Sequence, residues 1–126
     1  MNDKLRADLI GARLCGWDGY VTLNDMDTLK LRRCEPERPR GSTFSISNKA
    51  DRMDVVETLG DRHEIGVMPW RWRDYSGTQY KGWRVWTGEE WLKPDIGFCG
   101  DELSFERHEE ATRAALLTLA DEYLRR

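Results

Sequence analysis

The chain has 126 residues, of which 39% are apolar and 34% charged, with a net charge of −3. That length suits a single domain spanning residues 1–126, which buries roughly two-thirds of its unfolded surface and so can build a core without staples. Six Trp, four Tyr and three Phe exclude a disordered chain. No run approaches the ~20 apolar residues of a membrane-spanning helix, and the acidic total disfavours wholesale phosphate binding while leaving room for a local basic patch.

The N-terminal stretch Met1-Asn2-Asp3-Lys4-Leu5-Arg6 mixes charges and differs from a secretory leader. Cys15, Cys34 and Cys99 are too few and too scattered for a disulfide framework, and one of them must stay unpaired. Both features lead to the expectation of a reducing, cytoplasmic setting.

The first element expected is a helix over Asp3–Cys15, capped by Asn2 or Asp3, with Leu5, Leu9, Ile10 and Leu14 on one face and Gly16 at its exit. Trp17-Asp18-Gly19-Tyr20 reads as a turn. Leu29-Lys30-Leu31-Arg32 alternates like a half-buried strand, and Pro36, Pro39 and Gly41 mark a loop. Thr43–Ser47 reads as another strand, with Phe44 and Ile46 on one face. A second helix is expected over Lys49–Leu59, capped by Ser47 or Asn48 and ended by Gly60.

Two antiparallel strands follow, His63–Tyr75 and Gln79–Thr87, joined near Ser76-Gly77. Pro69 predicts an edge position or a break, because proline cannot donate to a ladder. Glu89–Leu92 reads as a third short strand, and 93–102 as a loop punctuated by Pro94, Gly97 and Gly100. The last predicted element is a helix from Phe105 to Leu124 with Ser104 as N-cap, carrying Glu106, Glu109 and Glu110 early and Arg125-Arg126 at its end, in keeping with the helix dipole. The sum is an α+β fold: an antiparallel sheet of about 3–5 strands packed by N- and C-terminal helices.

Catalytic and metal motifs are missing from this pattern. His63 and His108 are far apart, and no Cys or His stands at zinc-ligand spacing from another. The Asp18, Asn24, Asp25, Asp27 cluster lacks the spacing and mid-loop glycine of a calcium loop. A Cys99–His108 pair is formally available, although cysteines are more often inert core residues. Glu89 and Glu90, adjacent on a strand, would point to opposite faces and share no site. The expectation is a non-enzyme with no metal and no cofactor.

The informative segment is Trp70-Arg71-Trp72-Arg73, which puts both tryptophans on one strand face and both arginines on the other. Across the turn Tyr80, Lys81, Trp83, Arg84 and Trp86 repeat the mixture. Three readings compete: a core face packed under the terminal helices, a protein-binding patch, and a stacking platform for single-stranded nucleic acid with Arg71, Arg73, Lys81 and Arg84 on the phosphates. Charge is also uneven. Lys30–Arg40 is basic, whereas Glu89, Glu90, Asp95, Asp101, Glu102, Glu106, Glu109 and Glu110 form an acidic second half that reads either as a solvated surface or as a face for a basic partner.

The segment Leu9-Ile10-Gly11-Ala12-Arg13-Leu14-Cys15-Gly16-Trp17, the strand Gly82-Trp83-Arg84-Val85-Trp86 leading to Trp91, and the run His108–Leu117 together resemble the phage ABA-sandwich domains, small proteins of phages and prophages. The helix at Lys49–Leu59 is an addition to that family's order of elements. The resemblance transfers no catalytic residue; it implies an accessory protein of a phage or mobile element. The functional expectation is therefore binding to a bacterial or phage protein, as an inhibitor of bacterial defence of the anti-CRISPR kind, with Glu89, Glu90, Asp101, Glu102, Glu106, Glu109, Glu110, Trp70 and Trp72 at the interface and a basic nucleic-acid-binding surface as target. An immunity protein neutralising a toxin, or a single-stranded nucleic-acid-binding module, are the alternatives. Oligomeric state is left open.

Overall fold

The computed structural model describes residues 2–16, 21–23, 29–31 and 44–124. The first helix, α1 (Asp3–Leu14), starts where the Asn2 side chain accepts the Leu5 amide at 2.9 Å, and the chain leaves it through Gly16 at φ 77°. Its predicted stripe is the buried one: Leu5, Leu9, Ile10 and Leu14 all lie inside. Strands β1 (Val21–Leu23) and β2 (Leu29–Leu31) pair antiparallel, Val21 opposite Leu31. The predicted turn at Trp17–Tyr20, the basic segment from Arg32 to Arg40 and the Asn24–Asp27 cluster lie outside the described residues.

Thr43 also lies outside them, and from Phe44 on the expected strand is absent. Residues 44–47 run from open chain into a turn, pinned because the Ile46 amide donates to the buried carboxylate of Asp8 at 2.9 Å. Phe44 and Ile46 still bury almost completely, so the apolar spacing marked core residues without marking a ladder. Helix α2 (Lys49–His63) is capped by Asn48, which accepts from Ala50 and Asp51. Gly60 does not end it. The helix runs on until Glu64 adopts the left-handed conformation at φ 56° and the Ile65 amide returns to the Leu59 carbonyl.

Strands β3 (Gly66–Arg73) and β4 (Gln79–Trp86) form an antiparallel hairpin with Trp70 opposite Gly82 and Pro69 opposite Trp83. Trp83 turns its amide and carbonyl away from β3, to Phe105. Pro69 therefore occupies a non-hydrogen-bonded position and its nitrogen faces the outer edge, where a missing donor costs nothing. That edge has no partner strand among the described residues.

Among the described residues the other side of β4 is met only by isolated bridges, Trp83 to Phe105 and Trp86 to Trp91. A single sheet of 3–5 strands is thus not what forms: the described residues hold two separate two-stranded pairs, and the expected strand at Glu89–Leu92 shrinks to the one bridge at Trp91. The long C-terminal helix is corrected too. Phe105 is held extended against Trp83, so α3 covers His108–Leu117 with Arg107 rather than Ser104 at its N-cap. Ser104 instead donates its hydroxyl to Asp101. A tight turn at Thr118 and Leu119 then separates α3 from the short α4 (Ala120–Tyr123).

The core lies where α1, α2 and α3 meet the proximal half of the hairpin, through Ile10, Leu14, Phe44, Val55, Leu59, Val85, Ala115 and Leu116. Gly11 sits at the crossing: a Cβ there would come within 3.1–3.3 Å of Phe44, Val55 and Leu116. Glycine is what allows α1 so deep among its neighbours. No helix among the described residues is long and apolar enough to cross a membrane.

Candidate functional site

Strand pairing sorts the hairpin residues into two faces. Val67, Pro69, Arg71, Arg73, Gln79, Lys81, Trp83 and Val85 share one, and Met68, Trp70, Trp72, Tyr80, Arg84 and Trp86 share the other. The helices cover the first face, through Val67, Trp83 and Val85. The predicted separation of tryptophans from arginines on β3 is therefore present, but Trp70 and Trp72 do not pack under the helices. They lie on the far face, covered by the loop that follows β4.

That loop brings a second, aromatic cluster together. Trp91 packs edge-on against Trp70 and Trp86 at 5.7 and 5.1 Å. Trp72 stacks with Tyr80 at 5.8 Å, and Phe98 meets both edge-on. The Trp72 indole donates to the Cys99 carbonyl at 3.2 Å. Arg84 lies inside the cluster, its guanidinium 4.0 Å above the Trp70 ring, and its Nη2 donates to both oxygens of Asp101 at 2.9 Å. Burial pushes the Asp101 carboxyl up, but the Ser104 hydroxyl, Arg84 and the Leu103 amide together outweigh it and hold the group below the usual carboxylate range. Arg84 and Asp101, each expected at a binding surface, are thus committed to each other.

The remaining expected residues divide as follows. Glu89, Glu90, Glu102, Glu106 and Glu110 are exposed, with Glu102 ion-paired to Lys93 at 3.6 Å. Glu109 is half-buried, accepts the Ser47 hydroxyl at 2.6 Å and pairs with Arg113, contacts that lower its pKa. Arg71, Arg73 and Lys81 are exposed, on the same face as Val67, Trp83 and Val85 but toward the hairpin turn. No ion pair among the described residues joins these acidic residues to the basic triad.

Two histidines are also engaged. His108 Nδ1 accepts from Arg52 Nε at 2.8 Å, while the ring stands 4.4 Å from that of Trp83. Burial, then the Arg52 charge, lowers its pKa. His63 Nε2 lies 2.8 Å from the Tyr123 hydroxyl. No group of three or more potential metal ligands occurs among the described residues.

One feature escaped sequence reasoning. A groove of about 390 Å³ runs along α3, lined by Leu92, Pro94, Phe105, Ala114 and Leu117, with Lys93, Asp95 and Thr118 at its rim. Glu110 stands one helical turn before Ala114 on the same face, and Glu106 follows Phe105 directly. Ile96, next to Asp95, is 88% exposed. The groove joins residues some twenty positions apart, and neither the loop nor the helix has a spacing that announces it.

No family model matches the chain, and no curated protein or solved structure is similar enough to count as a match.

Proposed function

We propose that this protein acts by binding another protein, without catalysis of its own, through the groove along α3. The observation that carries the reading is a mainly apolar channel: Leu92, Pro94, Phe105, Ala114 and Leu117 line it together with Lys93, Asp95 and Thr118, and the exposed Glu106 and Glu110 adjoin the lining residues Phe105 and Ala114, one next in sequence and the other one helical turn away. Apolar floors with charged rims are the anatomy of protein interfaces, where burial supplies affinity and complementary charge speeds and selects the encounter. The partner segment that fits is apolar at its centre and flanked by Lys or Arg. A basic, nucleic-acid-binding component of a bacterial defence system has that chemistry, and an accessory inhibitor of a phage or mobile element is the role that the reading proposes.

The test is affinity capture from nuclease-treated bacterial lysate with the wild type and with a Glu106→Lys/Glu110→Lys variant, both sites being exposed. A stoichiometric protein held by the wild type and released by the variant supports the reading. A partner retained equally by both, or no partner, counts against it.

A further inference from the structure

Arg71 stands directly opposite Lys81 in the β3–β4 register, and Arg73 stands opposite Gln79 on the same face. All four side chains are exposed. Like charges directly across a sheet weaken the pairing, so the arrangement is unfavourable for the fold. Among the described residues no carboxylate pairs with the triad, since the ion pairs use Arg6, His63, Arg84, Lys93 and Arg113; Arg73 donates only to the neutral Gln79 amide oxygen, from Nε and Nη2 at 3.1 and 2.8 Å, which leaves its charge uncompensated. The cations are nonetheless held in place, because Trp70, Trp72 and Tyr80 brace the ribbon from behind against Trp91 and Phe98.

The ribbon ends in a rigid turn. Asp74 Oδ1 accepts from the amides of Ser76 and Thr78, both at 3.0 Å, and Oδ2 from the Tyr80 hydroxyl at 3.1 Å. From this turn Tyr75 projects fully into solvent, with an exposure of 107%. A row of cations about 7 Å apart along a strand thus ends beside a free aromatic ring.

We propose that this distal face binds the phosphate backbone of single-stranded nucleic acid, with Tyr75 stacking on an unpaired base. The surface lacks the apolar centre that a protein hot spot needs, since Arg71, Arg73, Gln79 and Lys81 are all polar. Phosphate contacts need only positioned charge, and an exposed ring is a sequence-tolerant platform for a base. Arg84 takes no part, because Asp101 and Trp70 hold it on the opposite face. The acidic remainder of the chain keeps the contact local and sensitive to salt.

The experiment is fluorescence anisotropy of a labelled oligodeoxythymidine titrated with the full chain at several salt concentrations. Neutralising up to three phosphates on a single strand gives a log–log salt slope approaching about −2. The Arg71→Ala/Arg73→Ala/Lys81→Ala variant is expected to bind at least ~10-fold more weakly with a flatter slope. Tyr75→Ala is expected to weaken binding with the slope unchanged, and it removes only an exposed side chain should the triple variant fold poorly. Glu106→Gln/Glu110→Gln, which alters the groove, is expected to bind the oligonucleotide as the wild type does; that separates this proposal from the protein-binding one. Absence of binding at low salt, equal binding by the triple variant, or tighter binding of a duplex of the same length overturns it.

Discussion

The guanidinium of Arg84 is clamped between the Trp70 ring, 4.0 Å below it, and the carboxylate of Asp101, whose two oxygens each accept from Nη2 at 2.9 Å. The pair ties β4 to the loop around residue 101, and both side chains are largely hidden, at 16% and 10% exposure. Deleting one partner would leave the other charge desolvated and unpaired. Asp101→Ala is expected to cost about 2–3 kcal/mol in chemical denaturation, at or just below the ~3–5 kcal/mol of a fully buried broken pair because some exposure remains. Tryptophan emission should shift to the red as the loop lifts off Trp70 and Trp72. With its folded pKa depressed, Asp101 contributes fully above the unfolded carboxylate range, and that contribution is lost as pH falls through the folded value.

Gly82 is required by contact rather than by backbone angle. A Cβ there would lie 2.6 Å from the Phe105 carbonyl oxygen and 3.1 Å from the Trp72 ring. Gly82→Ala is therefore expected to push the 104–105 segment away from β4 and destabilise the protein by about 1–3 kcal/mol, the usual scale for overpacking. Thermal denaturation reads the loss. Gly77→Ala is the informative contrast: a Cβ there meets nothing within 4 Å, and only its φ of +84° resists the change.

Asp8 gives a pair of opposed outcomes. The residue is only 2% exposed; burial raises its pKa despite the bond from the Ile46 amide and the nearby Lys4 and Arg113 charges. Ionised Asp8 is thus a burden at neutral pH, relieved as pH falls through its raised folded pKa. Asp8→Asn keeps an acceptor for the Ile46 amide and is expected to equal or exceed wild-type stability at pH 7. Asp8→Ala orphans that amide and is expected to lose about 1–3 kcal/mol. Denaturation midpoints of both variants at pH 7 and pH 5 check the assignment.

His108 supplies the opposite dependence. Its Nδ1 accepts from Arg52, so the folded ring is neutral, and its pKa lies below the ordinary 6.5. The group's contribution is complete above about 6.5, the unfolded value, and declines as pH falls below it toward the folded value. Protonation would set two cations against each other where α3 begins. Stability of the wild type is expected to fall between pH 7.5 and 5.5, and His108→Gln is expected to flatten that slope.

Much of the helical structure was legible in the sequence. The Asn2 and Asn48 caps, the buried face of α1 and the exit at Gly16 follow from local chemistry that acts within a few residues. The hairpin was legible too, with Pro69 at an edge rather than a break, although the strand expected from His63 begins only at Gly66 because α2 runs on through His63. What misled were residues whose role depends on distant neighbours. Ser104 has the composition of an N-cap, but Trp83 holds Phe105 extended and Asp101 takes the Ser104 hydroxyl. Phe44 and Ile46 alternate like a strand, but Asp8 on α1 takes the Ile46 amide. Arg84 and Asp101, each placed at a surface by its charge, neutralise one another across 17 residues of chain. The groove was invisible because its floor is assembled from a proline-containing loop and a helix, neither of which is unusual alone.

Pro69 carries a consequence for solubility. A two-stranded ribbon with an unpaired outer strand is a template on which further strands can stack, the route to fibrils and domain-swapped aggregates. Here the nitrogen facing that margin bears no hydrogen, so an arriving strand meets a gap in the donor row. It also meets Arg71 and Arg73, whose charges repel a second copy of the same ribbon. Among the described residues that margin is open, and one imino acid and two arginines work against polymerisation along it.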